Sequence, residues 1–384
     1  MENTMKKGKQ WLILFFAVVA VGTAAFMMVN YMIDPTGYFS VERKAGEVDA
    51  NGYTRAAKSK YIKKHKDEYN AVVLGGSKSG VLSTELLSEY TGKNYYNFYF
   101  AYGCFSDFLT YSRYLIETAD IDEITLHLSS IEVQQYDRSA TNEIYEVPAV
   151  VDGNAIDLLL ENLNYLCRNI NSTVSYAMEG KENLEKGMDN LSTGERNYSY
   201  PYSLMEEDAD AYVQKYVLPR YTKSLKKLFA GKDPSVPAIN DNITAMKQIK
   251  ELCDANDVTL KVVIGPTFLA EMYKFEGQEY YNYLRELVQI TDIWDFSGFL
   301  LENRNPYNFV NEGHYKNVVA DLMVNIMYGK TERDGFGILL TKDNIEDYLA
   351  KRQADYEELK QEYEATGNVA LETVNNASYI SSAM

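Results

Sequence analysis

Cysteine and histidine are scarce in this 384-residue chain, and each scarcity removes a class of chemistry. Cys104, Cys167 and Cys253 stand far apart with no C-x-x-C pair, which excludes a zinc ribbon and a disulfide framework and leaves room for one chance disulfide at most. His65, His127 and His314 share no metal-ligand spacing, so a His-rich metal site is not expected, and the serine chemistry read below requires neither a metal nor an organic cofactor. Basic residues are outnumbered: 38 Lys and Arg against 55 Asp and Glu give a net charge of −17. Neutralising phosphates needs clustered cations, so nucleic acid is not an expected partner. Proline is low at 8 residues, glycine stands at 23, and no internal repeat or long low-complexity tract occurs, which excludes a collagen-like or broadly disordered chain. With 46% hydrophobic residues the chain can bury a sizeable core in one or two domains.

One long apolar run is present. Trp11 to Ile33 carries no charge, and as a helix its 23 residues rise roughly 35 Å, enough for the hydrocarbon core of a bilayer. Lys6, Lys7 and Lys9 precede it, so the positive-inside rule predicts a single-pass protein of the cell membrane with a cytoplasmic N-terminus and everything after residue 33 extracytoplasmic. The rival is a cleaved signal peptide, for which Thr23-Ala24-Ala25 offers small residues. The apolar run continues eight positions past them, longer than a usual signal core. Without the four charges of the tail, 35 basic and 54 acidic residues remain outside.

Three regions are expected: residues 1–33 as tail and anchor, 34–329 as an α/β domain, and 330–384 as a C-terminal helical extension. After the anchor, Asp34-Pro35-Thr36-Gly37-Tyr38 reads as a turn. Arg55, Lys58, Lys60, Lys63, Lys64 and Lys66 form the only basic run, read as a solvated helix face, with anionic lipid headgroups as the alternative. From Asn70 short apolar runs alternate with helix-length amphipathic segments, the pattern of a parallel sheet with covering helices. Strands are predicted at Ala71–Leu74, Tyr95–Phe98, Ile124–Leu128, Val258–Ile264 and Asp292–Phe296, and five suffice for a doubly wound sheet. Helices are predicted at Val81–Tyr90, Ser106–Thr118, Asn240–Ala255, Leu269–Ile290 and Tyr315–Tyr328. Residues 137–238 fall outside this alternation and read as an insertion above the sheet edge, a lid or substrate wall. Asp343–Ala365, charged and loosely periodic, reads as a surface helix or a partner-binding one. Most of the 33 tyrosines read as packing residues, with sugar stacking as the functional alternative for the clusters at 95–102, 198–202 and 280–283.

Chemistry is expected where the first strand ends. In AVVLGGSKSG, Gly75 and Gly76 turn the chain and Ser77 opens the next helix, at the edge where ligands collect in open α/β sheets. A hydroxyl there lies beside free N–H groups and the positive end of a helix dipole, which makes Ser77 a candidate nucleophile. The alternatives are a helix-capping serine or a phosphate-binding turn, although the Walker spacing is absent. A base is also needed, and His314 in FVNEGHYKNVVADLM precedes an amphipathic helix just after the last predicted strand. That position returns it to the same edge, with a plain helix-cap histidine as the alternative. His127 reads as a packed strand residue and His65 as part of the basic run.

These blocks together resemble the SGNH/GDSL hydrolase superfamily, in particular its membrane-anchored cell-envelope branch, which includes the D-alanyl transfer protein of teichoic acid synthesis and alginate O-acetylation proteins. The resemblance spans about residues 34–329 and implies a three-layer α/β/α fold with a central parallel sheet of about five strands, SGNH or flavodoxin-like. Val73-Leu74-Gly75-Gly76-Ser77 matches the first block, implying that Ser77 is the nucleophile and that its own N–H serves the oxyanion. The stretch Tyr96-Asn97-Phe98 to Gly103 is similar to the second block, implying Gly103 as the other donor and Asn97 as a supporting residue. Asn311-Glu312-Gly313-His314 occupies the place of the final Asp-x-x-His block. The acid is thus replaced by Asn311, whose amide can orient the imidazole but lacks the carboxylate charge; Glu312 or Asp295 would have to supply it. The third block, which normally supplies an Asn donor, has no counterpart in Leu128-Ser129-Ser130-Ile131-Glu132. The resemblance implies a serine esterase or O-acyltransferase acting on acyl groups of an envelope polysaccharide or an acyl carrier, alongside a membrane O-acyltransferase. The competing expectation is a catalytically degenerate accessory protein that keeps the fold to bind polymer or partner.

Overall fold

The computed structural model describes residues 2–34, 38–39, 47–49, 54–129, 136, 146–167, 178, 188–231 and 234–372. The apolar N-terminal run forms a helix, α1 (Glu2–Ile33), long and apolar enough to cross a membrane. Trp11 through Ala25 are all exposed, whereas a core helix of such composition would be covered. The turn read at residues 34–38 lies outside the described residues at 35–37.

Beyond α1 the chain is mixed α/β, built on a six-stranded, mostly parallel sheet. The strands are β1 (Ala71–Gly75), β2 (Tyr95–Tyr99), β3 (Glu123–Leu128), β4 (Thr259–Ile264), β5 (Ile293–Asp295) and β6 (Ile338–Leu340), in the order β6-β5-β4-β3-β1-β2. β1, β2 and β3 are buried along their whole length, which is why their sequences read as continuous apolar runs. Gly75 stands opposite Tyr99 on one side and His127 on the other, while Ile264 stands between Leu128 and Asp295. The C-terminal ends of five strands therefore line one edge. Strand order reverses between β1 and β3, and the crevice outside the strand ends at such a reversal is the usual ligand site.

The main helices are α2 (Thr54–Lys64), α3 (Thr84–Thr91), α4 (Phe105–Thr118), α5 (Ala155–Leu166), α6 (Ile239–Ala255), α7 (Gln278–Leu287), α8 (Asn317–Met327) and α9 (Ile345–Thr366). Ile243, Met246 and Ile249 of α6 are buried at three-residue spacing, and this helix packs against α4. Three shorter helices, Ser199–Glu207, Ala209–Tyr216 and Tyr221–Leu228, lie between β3 and β4. Within the predicted insertion, residues 137–145, 168–177, 179–187 and 232–233 lie outside the described residues.

Four expectations need correction. The basic run is a solvated face only in part: Lys63, Lys64 and Lys66 are exposed, whereas Arg55 and Lys58 of α2 are buried, Arg55 forking onto both Asp107 oxygens at 2.6 and 3.0 Å. Lys58 Nζ donates to the carbonyls of Tyr99 at 3.0 Å and Gly194 at 2.6 Å, with Asp189 4.0 Å away. Burial pushes this ammonium down to about 7. The expected helix Leu269–Ile290 is broken into a 3₁₀ turn, Leu269–Lys274, and α7, because Gly277 between them takes φ 155° and ψ −176°, which only glycine adopts readily. The tail helix α9 is docked rather than simply superficial. Its Ile345, Leu349 and Leu359 are buried, and Arg352 grips Glu276 at 2.6 Å and the Ser297 hydroxyl at 3.0 Å. The sixth strand, β6, lies in the region read as purely helical; its three residues are too few to show a period.

The tyrosine clusters pack as expected. Tyr95, Tyr96, Tyr99, Tyr198, Tyr280, Tyr281 and Tyr283 are buried, and Tyr102 is the exposed member at 48%. All three cysteines are free thiols.

Candidate active site

β1 delivers the chain to the reversal point and ends without room for a side chain: a Cβ on Gly75 would lie 2.7 Å from Ser79 Oγ and 2.8 Å from the His127 carbonyl. Ser77 follows, half-buried, at the start of a 3₁₀ turn that runs to Val81. The first α-helix after it, α3, begins only at Thr84, so Ser77 does not open a long helix and the expected dipole is reduced to one turn. The turn is held from below. Asn97 on β2 donates its amide to the carbonyls of Ser79 at 2.9 Å and Leu82 at 3.1 Å, and Ser79 Oγ donates to the Gly76 carbonyl at 2.8 Å. Asn97, one of the expected supporting residues, is therefore a buried positioning residue.

His314 arrives from 237 positions away on a tight hairpin of Phe309–Asn311 against His314–Tyr315. Its Nε2 lies 2.8 Å from Ser77 Oγ, and its Nδ1 lies 2.9 Å from Asn311 Oδ1. Asn311 Oδ1 also accepts the Gly313 N–H at 2.9 Å. A backbone N–H can only donate, so it fixes which end of the Asn311 amide is oxygen. That oxygen can only accept, which places the ring proton on Nδ1 and leaves the Nε2 lone pair facing the serine hydroxyl. Ser77, His314 and Asn311 thus form a directed chain of hydrogen bonds across the hairpin and the turn.

The other two expected supports are elsewhere. Asp295 Oδ2 accepts from the Tyr348 hydroxyl at 2.6 Å and Oδ1 from the Ser297 N–H at 2.7 Å, inside the Arg352 cluster. Glu312 is half-buried among charges that include Arg220, Glu271 and Lys274, and among the described residues it makes no hydrogen bond to His314. Burial holds its carboxyl above the usual range.

Among the described residues no carboxylate compensates His314. Burial, then the positive charges of Arg196 and Lys78, push its imidazole down to about 3, so it is neutral near pH 7. Sequence reasoning missed both cations. Lys78 is signalled only by adjacency to Ser77, and nothing local marks Arg196. It comes in on the loop after Asp189, where its N–H donates to the Gly80 carbonyl at 2.8 Å and its guanidinium stands 5.0 Å from the Tyr198 ring centre. His127 is buried as expected, but at the same edge: its Nε2 lies 2.9 Å from the hydroxyl of Tyr315, the neighbour of His314. Burial and Lys78 lower it to about 3 as well.

Gly103, the expected second oxyanion donor, closes on the serine turn, where a Cβ added to it would lie 3.2 Å from Gly76 Cα and 2.8 Å from Phe100 and Phe108. Among the described residues neither the Ser77 nor the Gly103 N–H has a hydrogen-bond partner. Ser129 lies at the end of β3, and Ser130–Glu132, the rest of the missing third block, lie outside the described residues. The segment between β3 and β4 braces the histidine side. Tyr212 donates to the Val310 carbonyl at 2.9 Å, and the Tyr202 hydroxyl both donates to Asn317 Oδ1 at 2.5 Å and accepts the Asn317 N–H at 3.0 Å. The chain matches no protein-family model and no curated protein.

Proposed function

We propose that the protein is a membrane-anchored, SGNH-like serine esterase or O-acyltransferase with a three-layer α/β/α body facing outward. The observation that carries the reading is the pairing of Ser77 Oγ with His314 Nε2 at 2.8 Å, with the lone pair of Nε2 directed at the hydroxyl by Asn311. A neutral imidazole so held can take the hydroxyl proton while Oγ attacks the carbonyl of an acyl ester. The tetrahedral oxyanion would lie against the N–H groups of Ser77 and Gly103, which have no hydrogen-bond partner among the described residues. Collapse returns the proton from His314 to the departing alcohol oxygen and leaves the acyl group on Ser77. Water, or a hydroxyl of an envelope polysaccharide or carrier, then repeats the steps in reverse. Transfer rather than hydrolysis requires water exclusion, for which the segment between β3 and β4 is the available wall. The helix α1 would hold this chemistry at the membrane, within reach of a membrane O-acyltransferase.

A second reading rests on specific observations. Asn311 replaces the acid and two cations disfavour an imidazolium, as expected of an accessory protein that has retained the fold and lost turnover. The two separate experimentally. The full-length protein in detergent micelles is incubated with a serine-directed fluorophosphonate and with short-chain acyl esters. Labelling and ester turnover that vanish in Ser77→Ala and His314→Ala establish the enzyme. A folded protein that neither labels nor turns over would establish the accessory role.

A further inference from the structure

Helix α5 is built inside out. Glu161, Asn162 and Tyr165 point into the protein: Glu161 and Asn162 accept from the Tyr38 hydroxyl at 2.6 and 2.8 Å, and the Tyr165 hydroxyl donates to Asp34 at 2.7 Å, while Asp157 and Asn164 are exposed at its flank. Four of its apolar residues point away. Ile156, Leu159, Leu160 and Leu163 are 67%, 56%, 58% and 40% exposed, and their spacing puts all four on one face. A soluble helix has the opposite arrangement, and an exposed apolar stripe of this kind requires an apolar neighbour.

That neighbour is identified by the anchor. α5 lies along the last two turns of α1: Asn30 of α1 is fully buried and donates to the Leu166 carbonyl at 2.8 Å, while Phe26, Met27, Val29 and Ile33 are partly covered. The apolar stretch of α1 that is exposed at every position, Trp11 to Ala25, rises only about 22 Å as a helix, short of the roughly 30 Å hydrocarbon core. The covered turns are needed to complete the span. Whatever covers them enters the outer part of the bilayer with them.

We infer that α5 is an interfacial membrane helix, its Ile156, Leu159, Leu160 and Leu163 face immersed in the outer leaflet beside α1. The face is lipid-directed, continuous with the anchor, and fixed to it through Asn30, Asp34 and Tyr165. This inference goes beyond the acyl chemistry and does not depend on Ser77 acting as a nucleophile.

Site-directed spin labelling of the full chain tests it. In a Cys167→Ser background, where Cys104 and Cys253 are buried, single cysteines replace Ile156, Leu160, Asp157 and, within the anchor, Val19. The labelled proteins are reconstituted into vesicles of phosphatidylcholine and phosphatidylglycerol. Labels at 156 and 160 should favour oxygen over a water-soluble nickel chelate severalfold more than the label at 157, and approach the label at 19. Equal nickel access at 160 and 157 overturns the inference, because the face is then in water. Dipolar broadening of the label at 160 also overturns it, because a second copy rather than lipid then covers the face. Nickel access at 19 as well would overturn the membrane reading of α1, a failure distinguishable from that of α5 alone.

Discussion

Replacing Asn311 by Asp supplies a charge at a position where the geometry is already prepared for it. The carboxylate would meet His314 Nδ1 at the present 2.9 Å and keep the Gly313 N–H, since both contacts need only an acceptor. Unit charges centred about 4 Å apart attract by roughly 4 kcal/mol at an effective dielectric of about 20. Such an energy corresponds to about three powers of ten in favour of the imidazolium. It opposes burial and the Arg196 and Lys78 charges, and returns the imidazole from about 3 toward its ordinary value of about 6.5. Proton transfer is partial in the transition state, so roughly half of the gain, of order 10- to 100-fold in kcat/KM, should be realised. The reverse replacement in a serine protease costs about 10⁴, but there the tautomer is lost as well, whereas here Asn311 already fixes it. Hydrolysis of a short-chain chromogenic ester by the full-length protein, followed as a function of pH, reads both consequences. The variant should be faster near neutrality and lose activity as pH falls through the ordinary histidine range, while the parent holds its rate to far lower pH. A folded variant with neither a gain in rate nor a shifted acid limb would refute the assignment of His314 as the base.

Three further outcomes follow from the packing. His127 and His314 both sit near 3 when folded and near 6.5 when unfolded, so between those values the unfolded chain binds more protons and stability falls with acidification. Thermal unfolding should show a falling Tm over that window, and His127→Asn should flatten it; an unchanged slope would contradict the burial of that imidazole. Gly194→Ala places a Cβ 2.0 Å from the Asn97 carbonyl oxygen at φ 76°, and should cost at least about 2 kcal/mol in chemical denaturation; a neutral effect would mean that the loop does not lie on β2. Arg352→Leu leaves Glu276 and Asp295 buried without their cation and should destabilise by about 3–5 kcal/mol, with the neutralising double change Arg352→Leu, Glu276→Gln recovering part of it.

The sheet was legible because buried parallel strands read as apolar runs whatever their partners, and β1 to β5 fall where those runs lie. Ser77, His314 and Asn311 were legible through their places relative to strand ends, and the structure brings these three together. The misreadings share a cause in long-range partners. Arg55 and Lys58 look solvated until Asp107, 52 positions on, and the Gly194 carbonyl, 136 positions on, are placed beside them. Asp295 looked available to His314 until α9 closed over it from 53 positions downstream. Arg196 shows the same limit, since only the fold of the loop after Asp189 brings it to Gly80.

The bracing of the His314 hairpin by Tyr202 and Tyr212 limits how this molecule can be modified. Both flanks of the hairpin, Val310 before the histidine and Asn317 after it, are hydrogen-bonded by a segment that enters the sequence about a hundred residues earlier. That segment is no detachable module. Grafting in a counterpart from another chain, or trimming it to a short linker, would free the imidazole from its mount even with every residue of the serine turn and the hairpin untouched, so changes to this segment have to be point changes that leave those two tyrosines in place.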